Sequence, residues 1–230
     1  MMRKIIGKII DIVLPPKGED TASKEAPSPP PAGVKTVSLE QLLGGALGEP
    51  PAEPDLRVIG LYSSVEDEKI AELTQALLYL NEMNRLLPEG KEKKPVEFYI
   101  NTYGGSADDM FAMYDVMQSV MEETEIHTIG VGKVMSAGTL LLAAGTKGKR
   151  KIGKSCRVMI HNVAAGNFGT LPNLANELEA IQQLQEDYIS AMVDNTKFTR
   201  KKLERLLNEK VNIYLSAEEA VKYGLADEIM

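Results

Sequence analysis

From about residue 55 onward, short apolar runs of strand composition alternate with segments whose apolar residues recur every three or four positions. Residues 56–62 predict a strand. Ser64 opens a helix with an apolar face of Ile70, Leu73, Leu77, Leu80 and Leu87, stopped at Pro88-Glu89-Gly90. Residues 96–101 form the next strand, which runs into the turn Thr102-Tyr103-Gly104-Gly105-Ser106. A helix follows with Met110, Tyr114, Met117 and Met121 on one face; such methionines read as core rather than as a cofactor box. Residues 126–132 predict a strand that ends at its glycine. Ser136 then stands at a strand-to-helix turn among small residues, ahead of the apolar run Leu140-Leu141-Leu142-Ala143-Ala144-Gly145. Further on, 155–162 predict a strand, 164–170 a small-residue loop, 171–196 a long helix, 199–208 a shorter one and 211–215 a short strand. Ser216 and Glu219 have capping-box spacing for a last helix that ends at Gly224.

Strand-helix units of this length predict an α/β layout with mainly parallel pairing. In such sheets the loops at the carboxyl ends of strands carry the chemistry. Three loops qualify: 103–106, 133–137 and 161–166.

The first 54 residues follow a different pattern. In 1–14, Ile5, Ile6, Ile9, Ile12 and Val13 are spaced as one face of a helix, with Arg3, Lys4, Lys8 and Asp11 between them. Lys8 and Asp11 interrupt the apolar stretch, and Pro15-Pro16 follows where a signal peptide would have a small-residue cleavage site. The segment therefore reads as an amphipathic element of the mature chain, suited to docking on a partner protein ahead of lying on a membrane surface or packing on its own domain. Nine of the 12 prolines lie within the first 54 residues, so 15–54 read as a flexible tether that cannot assemble a core. Ser38 and Gln41 have capping-box spacing for a short helix inside it. The compact domain is expected over 55–230.

Composition narrows the function classes. A net charge of −7 with no basic stripe excludes nucleic acid as an expected partner. No run of about 18 apolar residues offers a membrane-spanning helix. A single cysteine, Cys156, rules out an intramolecular disulfide and fits a cytoplasmic location. In an apolar strand it reads as small hydrophobic filler, not as a nucleophile. No metal or cofactor is expected.

Ser136 admits two readings. It is a helix N-cap, or it is a nucleophile lifted clear of a sheet by a sharp turn. His127 lies inside an apolar strand and reads as structural. His161 ends a strand and is followed by the small residues Val163-Ala164-Ala165-Gly166. A serine hydroxyl is a weak nucleophile until a base accepts its proton, so the two strand-end residues complement each other. Gly104-Gly105 would let backbone amides point into the site, as an oxyanion hole requires.

Five stretches, in order, resemble the Clp-protease proteolytic-subunit family (ClpP, peptidase S14). They are Arg57-Val58-Ile59 with Val65-Glu66-Asp67; Phe98-Tyr99-Ile100-Asn101 with Gly104-Gly105; Ser136-Ala137-Gly138 with the apolar run to Gly145; Gly148-Lys149-Arg150 with Met159-Ile160-His161; and Leu215-Ser216-Ala217-Glu218-Glu219-Ala220 with Tyr223-Gly224-Leu225-Ala226-Asp227. The resemblance covers 56–229. It implies a crotonase/ClpP-like superhelix of strand-helix units with a protruding helical handle, supplied by the helix from Leu171. It implies a serine endopeptidase that cleaves unfolded polypeptides, with Ser136 as nucleophile and His161 as base. Gly105 and Ala137 would give the oxyanion-hole amides. It further implies a homo-oligomer of heptameric rings stacked in pairs, a Clp-class AAA+ unfoldase as partner, and the option of a paralogous ring subunit.

The sequence departs from the family where it has an aspartate as third catalytic residue: alignment on Leu215-Ser216 puts Asn212 there. Asparagine can orient an imidazole but brings no charge; in the chymotrypsin triad that exchange lowers turnover about 10⁴-fold. Tyr103 stands where the family usually has proline, and Lys133, three residues before Ser136, offers a Ser-Lys dyad if desolvated. Alternative readings are a non-catalytic or weakly active ring subunit, a phage-type head maturation protease of the same family, and a crotonase-like acyl-CoA enzyme, whose site would not need the Ser-His pair.

Overall fold

The computed structural model describes residues 55–166, 168–209 and 212–230. The expectations for 1–54 lie outside the described residues, as does the start of the strand expected at Val211. The described elements run β1 (Val58–Leu61), α1 (Asp67–Arg85), β2 (Val96–Thr102), α2 (Ala107–Val120), β3 (Ile126–Met135), α3 (Ala137–Ala143), β4 (Lys151–Ile152), β5 (Arg157–Ile160), α4 (Leu171–Asn195), α5 (Arg200–Glu209), β6 (Ile213–Leu215), α6 (Ala217–Tyr223) and β7 (Glu228–Ile229). The layout is α/β. The strands run in the order β1-β2-β3-β4-β7, with β5 branching from β3 and carrying β6. All pairings are parallel except β5 with β6.

Strand β3 does not end at Gly132 but continues to Met135, and it changes partner on the way. Ile129 and Gly130 pair with β4, whereas Lys133, Val134 and Met135 pair with β5. The register against β2 shifts between Ile100 and Thr102, because β3 inserts extra residues there. Such a bulge bends a strand and increases its twist. Its second half therefore turns away from the first and delivers Ser136 beside the end of β5.

Helices pack in succession, α1 on α2, α2 on α3 and α3 on α4. Helix α3 is apolar but for Thr139 and buried at every position from Ala137 to Ala143, as a helix without a polar face must be. On α1 the expected face is buried from Ile70 to Leu80, but its last buried member is Asn84 rather than Leu87. The Asn84 side chain is fully used there: Oδ1 accepts from Arg57 Nη1 at 3.0 Å, and Nδ2 donates to Lys94 O at 2.8 Å and Thr124 Oγ1 at 2.9 Å. On α2 the deepest face is Met110, Met113, Met117 and Val120. Tyr114 is drawn to the margin, where its hydroxyl accepts from Asn195 Nδ2 at 3.0 Å.

Helix α4 has 25 residues, about 37 Å at 1.5 Å per residue. Its buried residues, Tyr188, Ile189, Ala191, Met192 and Asn195, all lie in the last third. The remainder projects as a handle and exposes Leu171, Leu174 and Leu178. Arg150 locks its base. The buried guanidinium donates to both Asp227 carboxylate oxygens, at 2.9 and 2.6 Å, and to the last carbonyls of α3 (Ala143, 2.8 Å) and α4 (Asn195, 2.6 Å).

Candidate active site

Parallel pairing of β3 with β5 aligns Met135 with Met159. The ladder continues one step further, since Ser136 N donates to Met159 O at 2.8 Å. Ser136 and His161 thus leave neighbouring strands at the same end of the sheet. Ser136 Oγ lies 2.8 Å from His161 Nε2. When the imidazole proton is on Nδ1, Nε2 is free to accept from the serine hydroxyl, which is the contact a general base needs. The hydroxyl makes no capping bond to α3, although Ser136 occupies the N-cap position.

Ser136 is the one non-glycine residue with positive φ among the described residues, at φ 52° and ψ −124°. Such a conformation costs on the order of 1–3 kcal/mol and persists only where its surroundings over-determine it. Here three hydrogen bonds do so: the one from Ser136 N, and two onto the Ser136 carbonyl, from Thr139 N at 2.9 Å and Thr139 Oγ1 at 2.6 Å. Gly104 makes room for the turn. A Cβ at that position would lie 2.5 Å from Ser136 Cβ, and its φ of 98° is one that side chains rarely adopt.

The adjoining Gly105 is held from behind. Val65 N donates to Gly104 O at 2.9 Å and Ser106 N donates to Val65 O at 2.8 Å, a parallel bridge that leaves the Gly105 N–H without a partner among the described residues. The helix expected from Ser64 therefore starts only at Asp67 with Glu66 as N-cap, because Val65 must stay extended to make this bridge. Ala137 N, the first amide of α3, is likewise unpartnered among the described residues. Both Gly105 and Ala137 line the same cleft as Ser136 and His161, a cavity of about 420 Å³. Met110, Ile181, Leu184 and Tyr188 give it an apolar wall, the last three from α4.

Asn212 stands just before β6, exposed, and makes no hydrogen bond to His161. Its location is nevertheless specific. The antiparallel register pairs Val158 with Leu215, Met159 with Tyr214 and Ile160 with Ile213. One further step would set His161 opposite Asn212, on the same face. Lys133 is engaged elsewhere: its Nζ donates to Asn101 Oδ1 at 3.0 Å and lies 4.4 Å from the Tyr103 ring centroid. Cys156 is buried, and burial pushes its thiol up to about 11. His127 pairs with Glu125 at 2.8 Å, away from the cleft. Among the described residues no cluster of His, Cys, Asp and Glu is set to hold a metal ion, and no helix is long and apolar enough to cross a membrane.

The sequence alone assigns no role to three supports of this site: Val65 behind Gly105, Thr139 under Ser136, and Tyr188 on α4. Val65 stands in a family-like stretch and Thr139 is the one hydroxyl of an otherwise apolar helix, whereas Tyr188 left no trace.

The Clp protease family model matches residues 54–230. Over 174 residues, 76% of this chain and 80% of the relative, the sequence is 33% identical to the ATP-dependent Clp protease proteolytic subunit of Deinococcus radiodurans.

Proposed function

Because this chain belongs to the Clp protease family, we propose that it is a serine endopeptidase, the proteolytic ring subunit of a Clp-type ATP-dependent protease. Ser136 is the nucleophile, His161 the general base, and Asn212 the third member. The amides of Gly105 and Ala137 are the oxyanion donors. The observation that carries this reading is the 2.8 Å contact between Ser136 Oγ and His161 Nε2 beside two amides that have no partner among the described residues, in one cleft.

The chemistry follows from that arrangement. His161 Nε2 takes the hydroxyl proton as Ser136 Oγ attacks the peptide carbonyl carbon. The oxygen that gains charge accepts hydrogen bonds from the Gly105 and Ala137 N–H groups, the kind of stabilisation that is worth about 10²–10³ in rate per donor. The imidazolium then gives its proton to the amine nitrogen, the C–N bond breaks, and an ester to Ser136 remains. Water repeats the sequence with His161 as base, releasing the acid and restoring the serine. The apolar wall of Met110, Ile181 and Leu184 favours an apolar side chain next to the cleaved bond.

Rings that pair through the handles, and supply of unfolded polypeptide by a Clp-class AAA+ unfoldase, complete the proposal. Two things support it: the exposed leucine stripe of α4 (Leu171, Leu174, Leu178) and the ATP dependence in the relative's name. A second reading, a weakly active ring subunit, is favoured by one observation: Asn212 makes no hydrogen bond to His161. A serine-directed fluorophosphonate tests the main reading. The assembled wild-type protein should be labelled at Ser136, and Ser136→Ala should take no label. An unlabelled wild type would refute the nucleophile assignment.

A further inference from the structure

The long helix reaches both halves of the Ser136–His161 pair through hydrogen bonds. Tyr188, 4% exposed, has its hydroxyl 3.0 Å from Thr139 Oγ1. The donor can be assigned. The Ser136 carbonyl has no proton to give, so the Thr139 hydroxyl donates to it, at 2.6 Å. That uses the only proton on Thr139 Oγ1, and the Tyr188 O–H must donate into Thr139. The result is a directed chain, Tyr188 to Thr139 to the carbonyl of the strained serine. Hydrogen bonds in such a chain polarise and strengthen one another away from water. Burial pushes the Tyr188 hydroxyl up to about 12, against the opposing pull of the Thr139 bond, so it stays a donor through the neutral range.

One turn earlier on the same helix, Gln185 Oε1 accepts from the backbone N–H of Val163 at 2.7 Å. Val163 is two residues beyond His161. Residues three apart on a helix share a face, so Gln185 and Tyr188 form a two-point clamp. One arm holds the turn that carries Ser136, and the other holds the loop that leaves His161. Neither side chain contributes a reacting atom. We propose that Tyr188 and Gln185, with Thr139 as relay, are positioning residues that set the Ser136–His161 geometry from the long helix. This rests on the assignment of Ser136 as nucleophile.

The experiment measures the rate at which the full-length assembled protein is labelled by a fluorophosphonate, as a function of probe concentration. The saturating rate and the half-saturating concentration are read separately. Tyr188→Phe keeps the ring against the cleft and removes only the hydroxyl. It should lower the saturating rate about two- to tenfold, the worth of one hydrogen bond, and leave the half-saturating concentration within about twofold, since transition-state geometry is lost and ground-state binding is not. Thr139→Val should lose a similar factor, Thr139→Ser should restore it, and Tyr188→Phe combined with Thr139→Val should lose no more than Thr139→Val alone, because both break one chain. Gln185→Leu should lower the saturating rate independently, through the other loop. Wild-type saturating rates in Tyr188→Phe and Gln185→Leu would overturn the clamp while leaving the nucleophile in place. So would equal losses in Thr139→Ser and Thr139→Val, which also decide the matter if the Tyr188 variant does not fold. A wild type that takes no label would overturn the nucleophile assignment, and the clamp with it.

Discussion

Asp227→Asn isolates one charge at the C-terminal end of α3, the helix that follows Ser136. In the native chain the Asp227 carboxylate accepts from Arg150 Nε at 2.9 Å and Nη2 at 2.6 Å, and from the amides of Gly148 at 2.7 Å and Arg150 at 3.1 Å. The Arg150 side chain is 5% exposed and that of Asp227 23%. Asparagine would leave a buried guanidinium without its counter-charge, a loss that costs about 3–5 kcal/mol in buried pairs. The low end applies, since the Ala143 and Asn195 carbonyls and the new amide oxygen would still accept, so about 3 kcal/mol is expected. For a domain of this size that lowers the melting midpoint by about 6–12 °C. The assay is thermal unfolding by circular dichroism at one fixed protein concentration. Its pH dependence supplies an internal check. Burial raises the Asp227 pKa, but the Arg150 side chain and the backbone amides outweigh it and hold the group below its ordinary value. The stability it contributes is therefore complete above the unfolded pKa of about 3.9 and is lost as pH falls through the lower folded value. The gap between wild type and Asp227→Asn should be full at pH 7 and shrink below about pH 4. A gap under about 0.5 kcal/mol at pH 7, the range of an ordinary surface change, would refute the argument. So would a gap unchanged at pH 3.

Asn212→Asp should raise turnover of a short peptide by roughly tenfold or more, within the ~10⁴ that separates the two residues in the chymotrypsin triad; an unchanged rate removes Asn212 from the site. Gly105→Ala should slow fluorophosphonate labelling about 10²-fold, the worth of one oxyanion donor, because its Cβ would press into the Val65 carbonyl and lie 2.8 Å from Val65 N; wild-type labelling would show that this amide is not used. Folded protein at pH 8 should resist alkylation of Cys156, whose buried thiol is held near 11, and guanidinium should expose it to reaction; fast alkylation of the folded chain would contradict the burial.

Helices with a complete polar face were legible in the sequence. So was the capping box of α6, where both bonds form, Glu219 N to Ser216 Oγ at 3.3 Å and Ser216 N to Glu219 Oε2 at 3.0 Å. These are local patterns, set by residues a few positions apart. What was not legible depends on long-range pairing. Nothing near Gly132 shows that β3 will trade β4 for β5, since the reason lies in which strands wait on either side. The two-residue strands β4 and β7 carry no periodicity at all. Val65 reads as the first turn of a helix until Gly104 and Ser106, some forty residues later, claim its backbone. Asn84 breaks the apolar pattern of α1, and only Arg57, Lys94 and Thr124 together explain why it is inside. Ser136 and His161 were legible for a different reason: each is a reactive residue type at a strand end beside small neighbours.

The proposed triad is unevenly built. Its serine is held by three hydrogen bonds in a conformation it would not choose, and the two amides proposed as oxyanion donors, one in a glycine turn and one at a helix start, have no partner among the described residues. Among the described residues its imidazole has one hydrogen-bond partner, the serine itself. In an aspartate triad the carboxylate both fixes the ring and stabilises the imidazolium that forms as the serine attacks. Asn212, which one further step of the β5–β6 ladder would set opposite His161, would do the first through its amide oxygen and could not do the second. The imidazolium would then gain stability chiefly from the oxyanion it faces, and that oxyanion from Gly105 and Ala137. Rate in this chain should therefore depend on how firmly the serine turn and the two amides are held. That places the burden on Val65, Thr139 and the Tyr188 end of α4, none of which touches the substrate's reacting atoms.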